Sequence, residues 1–477
     1  MSVPPTRRDP GGSRHARGNA VMHFHLPFLR GRGAAHGVAE HADKLQAAAK
    51  GAPKDSPLPI PSILSGIHLP ADHYMHRDAP TEWWWNIGTL TAADGRTFGF
   101  EINAVAYKDR GFGFTQIMLT DVAAQAHYQR STIYVPPYGV DFDTWAQSDP
   151  TRDWHVGLGR IDNRLSTIDV TNGGGGYDAA TTTVEITCGG GTQAVAYPVV
   201  DALTGAISSI QLTNPGRGYT SLPTVTIKGK GKGAKAKAVH TYVTMDAPWG
   251  DPTQNMAIVA LLNDEETDRE VLFDLMLSQK GPPFLVWGTG KAQMLPAASG
   301  IPLTTNNFYY SLTNLQATGT IKLGDAVIPV TGVTWMDHEY GFFGSSAAPV
   351  KWLLQDAQLD NGWHLSNFCI FQGNKPPPLG KPVDSFVSLR GPLGQMYVQK
   401  STMTPSNGWR SKRTGANYAL TFEVIIDGFA DLTFEALVKN QEFPLPNNGS
   451  IYEGVAKVTG TFDGKNVTGK GWIEQAS

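Results

Sequence analysis

Three short segments of this chain carry side chains able to do acid–base or ligand-contact chemistry. The first is Thr81-Glu-Trp-Trp-Trp-Asn86. Successive side chains of a strand point to opposite faces, so Trp84 shares a face with Glu82 and Asn86, and Trp83 and Trp85 take the other. Polar groups beside an indole on an inward face suit a barrel interior that holds a ligand; plain aromatic packing at a barrel base fits the same residues. The second segment is Thr334-Trp-Met-Asp-His-Glu-Tyr-Gly341. Asp337, His338 and Glu339 are adjacent ionisable groups in an apolar context, and burying them is costly unless they are paired or used. In a strand Asp337 and Glu339 face one way, and Met336, His338 and Tyr340 the other. A hydrogen-bonded cluster, a ligand-contacting or catalytic role and a metal site all remain open. Neither His-x-His nor His-Glu-x-x-His spacing is present, and no metal site is assigned. The third segment, Lys351–Leu359, puts Asp356 on the face of Trp352 and Leu354. A carboxyl among apolar neighbours has its ionised form destabilised and stays an acid near neutrality. A cross-strand salt bridge or hydrogen bond would satisfy the same pattern.

The elements that position these segments read as strands. In Thr97–Tyr107 the residues Phe98, Phe100, Ile102 and Ala104 alternate with Glu101 and Asn103, a period of two. Similar runs occur at Glu82–Leu90, Phe114–Asp121, Met256–Leu262 and Glu270–Leu277. A second series starts at Asn306 and runs to Glu474, with hairpin signals at Asp360-Asn-Gly362, Ile426-Asp-Gly428 and Phe462-Asp-Gly464. With 53 Gly, 32 Pro and few helical stripes in 477 residues, the expected class is all-β. The organisation predicted is a tail or linker over 1–57, a first barrel over 58–295 and a second over 296–477.

The first series is interrupted over 158–240 by a stretch rich in Gly, Thr, Val and Lys. Ile168-Asp-Val-Thr-Asn-Gly-Gly-Gly-Gly-Tyr177 is echoed by Ile210-Gln-Leu-Thr-Asn-Pro-Gly-Arg-Gly-Tyr219, and each copy precedes a short strand, Val184–Ile186 and Val225–Ile227. Two copies mean two small β units inserted as a module. No Gly-Lys-Ser/Thr opening a helix accompanies the glycine runs, which argues against a phosphate loop.

Composition removes several function classes. A formal net charge of −3 gives no electrostatic reason to expect nucleic acid. Two cysteines, Cys188 and Cys369, exclude a disulfide framework and a cysteine-based zinc site. No apolar run approaches the roughly 20 residues of a membrane-crossing helix. Arg7, Arg8, Arg14 and Arg17 precede an apolar stretch broken by His23, His25 and Pro27, a poor export signal. The compartment stays undetermined, with the cytoplasm slightly favoured over export, and peripheral contact with a membrane is left open.

Glu82-Trp-Trp-Trp, Thr120-Asp121, Pro282–Gly288, Tyr309-Tyr-Ser311, Gly332–Gly341, Leu354–Leu359 and Tyr452-Glu-Gly with Gly469-Lys-Gly, in this order, resemble the lipocalin-like family of carotenoid 1,2-hydratases (hydroxyneurosporene synthases) and related hydratases and cyclases. The resemblance implies two consecutive lipocalin-like barrels with a ligand cavity at or near their junction; the insertion lies outside the pattern. By motif position His338 looks like the family histidine and Asp356 like its proton-donating aspartate. Tyr340 stands where an aromatic, often Trp, is expected, and the third tryptophan of the first segment replaces a common Tyr.

What the resemblance implies is a cofactor-independent hydratase on a terpenoid- or carotenoid-like substrate. Adding water to an isolated C=C passes through a tertiary cation, so the site needs a neutral carboxylic acid, ring faces and a positioned water. Asp356 would supply the acid, Trp84, Trp352 and Tyr340 the rings at roughly 0.5–2 kcal/mol each, and His338 the base. Glu82, Asn86, Asp337 and Glu339 are the further substrate contacts expected. A cyclase of the same family and a carrier without turnover are the alternatives.

Overall fold

The computed structural model describes residues 66–134, 145–159, 164–248, 250–291, 306–342, 350–372, 376–444 and 450–476. The tail expected over 1–57 and the junction expected near 295–305 lie outside these residues. Apart from three short 3-10 turns, the elements described are strands. No helix among the described residues is long and apolar enough to cross a membrane.

The first lobe begins with β1 (Thr81–Ala92), β2 (Thr97–Tyr107), β3 (Phe112–Asp121), β4 (Ala126–Tyr134) and β5 (Trp154–Leu158). The inserted stretch contributes β6 (Thr167–Asn172), β7 (Thr183–Thr187), β8 (Thr192–Val200), β9 (Ile207–Arg217), β10 (Thr224–Lys228) and β11 (Lys235–Val239). The lobe resumes with β12 (Tyr242–Ala247), β13 (Asn255–Asn263), β14 (Glu270–Gln279), β15 (Phe284–Leu285), β16 (Asn306–Leu323) and β17 (Ala326–Phe342). Its sheet runs β4-β3-β2-β1-β17-β16-β14-β13-β12-β5, with β15 on β16. It curls almost shut: Asp264, just past β13, accepts a bond from the Gln129 amide of β4 at 2.8 Å, and the Glu265 amide reaches the Gln129 carbonyl at 3.1 Å. The alternation expected in β2 is met, since Phe98, Phe100, Ile102 and Ala104 join the core inside this barrel.

The second lobe comprises β18 (Val350–Leu359), β19 (His364–Gln372), β20 (Val383–Arg390), β21 (Met396–Arg410), β22 (Asn417–Ile426), β23 (Ala430–Ala436), β24 (Glu442–Pro444), β25 (Ser450–Phe462) and β26 (Lys465–Ala476). Its order is β23-β22-β21-β20-β19-β18-β26-β25-β24, and a further β23–β25 pairing closes an eight-stranded barrel. The core inside it is separate, built on Leu365, Val387, Met403, Phe422, Phe434 and Tyr452.

One boundary differs from the expectation. Of the strand series counted from Asn306 as the start of the second barrel, β16 and β17 still belong to the first, because β16 pairs with β14 and β17 pairs with β1. The second sheet starts at β18. Period-two alternation identifies a strand but leaves its partner open, and here register with β1 decides membership.

In the insertion, equivalent strands of the two repeats pair antiparallel: β6 meets β9 at Ile168 and Ile210, and β7 meets β10 from Val184↔Ile227 to Ile186↔Val225. The shared glycines have a conformational role. Gly174 and Gly216 adopt φ +59 and +67, and Gly176 and Gly218 both adopt +73, a region open to glycine at little cost. In each copy the preceding Asn side chain accepts the amide two residues on, Asn172 from Gly174 and Asn214 from Gly216, both at 2.9 Å. β5 and β12, which flank the insertion, pair directly with each other.

Candidate functional site

β17 lies between β1 and β16, and the register sorts its motif onto two faces. Glu82 stands opposite Tyr340, Trp84 opposite His338 and Asn86 opposite Met336; on the other side Tyr310 stands opposite His338. These residues face into the first barrel. Asp337 and Glu339 stand opposite Trp85 and Trp83 and face outward, toward the second lobe.

On the inner face a polar chain crosses a wholly buried region. His73 Nδ1 lies 2.6 Å from Tyr310 Oη, Tyr310 Oη 3.1 Å from His338 Nδ1, and His338 Nε2 3.1 Å from Glu82 Oε1. His76 Nδ1 also meets Glu82 Oε1 at 2.8 Å, while Lys108 Nζ donates to Glu82 Oε2 at 2.7 Å. Trp84 and Trp154 both donate their indole N–H to the His73 carbonyl, at 3.1 and 3.0 Å. Burial alone would raise the Glu82 carboxyl; His338, His76 and Lys108 outweigh it and hold the group well below the usual carboxylate range. For His76 burial works downward, but hydrogen bonds to Asp72 and Glu82 win and lift it to about 9. His73 and His338 are lowered, chiefly by burial. This face therefore holds an ionised carboxylate among cations.

On the outer face the second lobe supplies β18, β25 and β26. The even residues of β18 turn away from the second barrel's own core, as the Gln358 side chain shows by donating to the carbonyls of Thr313 and Thr334 at 2.8 and 3.0 Å. Gly99 of β2 packs so closely on Val455 that an added Cβ would lie 2.6 Å from it. A shared cluster of Ile87, Met118, Phe284, Tyr309, Val455 and Trp472, with others, seals the lobes together.

Six carboxyls lie in this layer: Glu101, Asp337, Asp356 and Glu453 are buried, and Glu339 and Glu474 are half-buried. None is in an ion pair with a described Lys, Arg or His. Three are held by indole N–H donors instead, Trp335 on Asp337 at 2.6 Å, Trp352 on Glu474 at 2.5 Å and Trp472 on Glu453 at 2.7 Å. Ser311 Oγ also donates to Asp337 at 2.5 Å, and Asn307 Nδ2 donates to Glu339. Glu453 and Glu474 are directly opposite across β25 and β26, a placement that two ionised groups would oppose. Asp356 stands opposite Trp472 on one side and Ser366 on the other; the Ser366 hydroxyl is near enough to lower its pKa a little, but neither Asp356 oxygen has a hydrogen bond of good geometry among the described residues.

The electrostatic consequence is uniform. Burial raises all six. Asp337 reaches about 6 against the opposing bonds from Ser311 and Trp335, and Glu474 about 7 against that from Trp352. Asp356 is raised well above its ordinary value, by burial first and the Asp337 carboxyl second. Buried, mutually repelling and without cations, these groups stay protonated where a surface carboxylate would be ionised.

The structure thus divides the expected site. Glu82, Trp84, Asn86, His338 and Tyr340 come together inside the first barrel; Asp337, Glu339, Trp352 and Asp356 come together between the lobes. Asp356 does not join His338 and Tyr340, because adjacent residues of β17 point to opposite faces and Asp356 approaches from the Asp337 side. Sequence reasoning missed His73, His76, Lys108 and Tyr310 on the inner face, and Glu101, Trp335, Glu453, Trp472 and Glu474 on the outer. The alternation Trp472-Ile-Glu474 within a strand was a usable signal for the last two.

Two successive barrels sharing an aromatic and acidic interface define a lipocalin-like β protein of the two-barrel class. The chain belongs to the AttH-like family, whose profile matches residues 207–476, more than half of it. A solved structure of a Nitrosomonas europaea protein assigned as AttH is similar, with a TM-score of 0.53 at 18% identity over 88% of this chain and 98% of that one. Kievitone hydratase from Nectria haematococca gives 0.52 at 13% identity over 89% and 97%. No curated protein matches the chain by sequence.

Proposed function

We propose that this protein is an enzyme that adds water to an isolated C=C of a hydrophobic, terpenoid-like molecule bound between the lobes, with Asp356 as the proton donor. The observation that carries this reading is the Asp356 carboxyl, buried among indole rings and protonated neighbours, with the Ser366 hydroxyl opposite it too weakly placed to offset the upward push of burial. A neutral acid in a buried, aromatic layer is what alkene protonation requires.

In the forward direction the Asp356 O–H passes its proton to one alkene carbon and leaves a tertiary cation on the other. A water oxygen bonds to the cation, and the water's surplus proton returns to the carboxylate, directly or through Asp337. The ring faces of Trp352 and Trp472 offer about 0.5–2 kcal/mol each to the cation when desolvated. Their N–H bonds to Glu474 and Glu453 fix the ring planes. Kievitone hydratase, which shares the fold, is by its name a hydratase, and this supports the reaction class. The scheme needs no cofactor.

The test is incubation of the full chain with a panel of acyclic terpenoids in ¹⁸O-labelled water. Label is expected in an alcohol product, and Asp356→Asn is expected to lower turnover by roughly 10²–10⁴-fold with ligand binding retained. A ligand that binds and is released unchanged by the wild type would make the protein a carrier, and full activity in Asp356→Asn would remove the acid.

A further inference from the structure

Behind the interlobe layer, on the inner face of β17, three ligand-type atoms from distant parts of the sequence converge. His76 Nδ1, Glu82 Oε1 and His338 Nε2 all lie within 4.8 Å of one another. His76 Nδ1 is 2.8 Å and His338 Nε2 3.1 Å from the same carboxylate oxygen. We propose that His76, Glu82 and His338 form a binding site for one divalent ion of zinc type, which ties the segment preceding β1 to β1 and β17.

Convergence alone would describe an ordinary polar cluster; the remaining polar atoms of the three groups set this one apart. A histidine that ligates a metal uses its second nitrogen on an oxygen that fixes its tautomer and ring plane. Both imidazoles meet this condition. His76 Nε2 lies 3.4 Å from Asp72 Oδ1, and His338 Nδ1 lies 3.1 Å from Tyr310 Oη, which continues to His73 Nδ1 at 2.6 Å. With an ion bound, Nδ1–H of His338 would donate to Tyr310 and free the Nε2 lone pair, which in the ion's absence shares a proton with Glu82. The second oxygen of Glu82 is likewise engaged, by Lys108 Nζ at 2.7 Å and the His76 amide at 3.0 Å. Each of the three groups thus has one atom anchored and one atom turned to a common point.

Ring stacking adds rigidity. His76 lies flat on Tyr340 with centroids 3.5 Å apart and an 8° interplanar angle, and His338 stacks on Trp84 at 4.8 Å and 21°. A tetrahedral zinc with bonds of about 2.0–2.1 Å sets ligand atoms roughly 3.3–3.4 Å apart, so each imidazole must move off the carboxylate oxygen by about half an ångström or less, while the two imidazole nitrogens, within 4.8 Å of each other, settle to the same spacing. An ion would displace the proton that His76 otherwise carries; with both imidazoles then neutral, Asp72, Glu82 and Lys108 leave one net negative charge to meet it. Two imidazoles and a carboxylate suit zinc over magnesium or calcium. His76 is 24% exposed while Glu82 and His338 are fully buried, so the ion would enter from the His76 side and keep a water as fourth ligand. The site stands apart from the interlobe reading, since it lies on the opposite face of the sheet.

The test uses the full chain, freed of metal by a chelator and dialysed, then titrated with Co²⁺ and with Zn²⁺. The expected result is one tight equivalent, an intense tetrahedral Co²⁺ absorption band displaced by Zn²⁺, and a Tm that rises with Zn²⁺. His76→Ala should abolish the band, and Asp72→Asn should weaken binding by about 10–100-fold, as losses of such outer partners do. The half-exposed position of His76 makes its replacement the variant that keeps the fold, and the His15, His23, His25, His36 and His41 side chains remain in it as a control for adventitious binding. Equal Co²⁺ spectra for wild type and His76→Ala, or no equivalent retained by the wild type, would overturn the proposal.

Discussion

The two faces of β17 are equally buried yet hold opposite charge states. On the inner face Glu82 is ionised, because Lys108 and His76 stand on its oxygens. On the outer face Asp337, Glu339 and the four carboxyls near them are pushed toward the protonated form, where the donors are indoles, a serine and an asparagine. Burial opposes ionisation on both faces, so it cannot be the discriminator. The presence of a cation within hydrogen-bond distance is, and it turns one side into an ion cluster and the other into a reservoir of neutral acid.

The largest expected effect on stability comes from removing the cation. Lys108→Met leaves a fully buried carboxylate short of its ammonium partner and should cost about 3 kcal/mol, the lower end for a broken buried pair because His76 remains; urea unfolding measures it. A loss near zero would mean that Glu82 needs no cation, and the contrast between the faces would fail. Next is a pH effect on the outer face. Asp337 has a folded pKa of about 6, above its unfolded value near 3.8, so its protonated form stabilises the fold below about pH 4 and that stability is lost as pH rises through 6. Relative to Asp337→Asn, the wild type should therefore lose on the order of 1–3 kcal/mol between pH 4 and pH 7. A difference that stays flat with pH, followed by thermal unfolding, would place Asp337 among the ionised groups. The smallest effect is Glu453→Gln: an amide imitates a protonated carboxyl and still accepts from Trp472, so stability at pH 7 should move by no more than about 0.5 kcal/mol. A substantially larger loss would show that Glu453 is a carboxylate in the folded protein.

Turnover should follow the outer face alone. As Asp337 and Glu474 ionise near 6 and 7, the neighbouring charges hold the Asp356 proton more tightly and weaken it as a donor. An activity that falls as pH rises through this range is the expected profile, and it belongs to the coupled cluster rather than to one residue. Activity against the terpenoid panel across pH 5–9 checks it.

Much of this was legible in the residues. Alternation in Glu82-Trp-Trp-Trp-Asn86 and in Met336–Tyr340 sorted side chains correctly onto faces, and the repeat at Ile168 and Ile210 marked a module whose equivalent strands do pair. The boundary between barrels was not legible, since β16 and β17 look like any other alternating strands until their partners are known. Nor was the split of the site, because Asp356 lies 15 residues beyond the end of the second motif at Gly341 and nothing in a one-dimensional pattern says which face it meets.

By itself the sequence determined the strand class, the face on which each chemical group would stand, and the candidate residues, because those depend on the local two-residue period of an extended chain. The tertiary structure decided which face met which partner: Lys108 and His76 came to Glu82, while Glu101, Glu453 and Glu474 came to Asp337 and Asp356. Charge state in a buried layer is set by neighbours within a few ångströms, and those neighbours were up to a few hundred residues away along the chain.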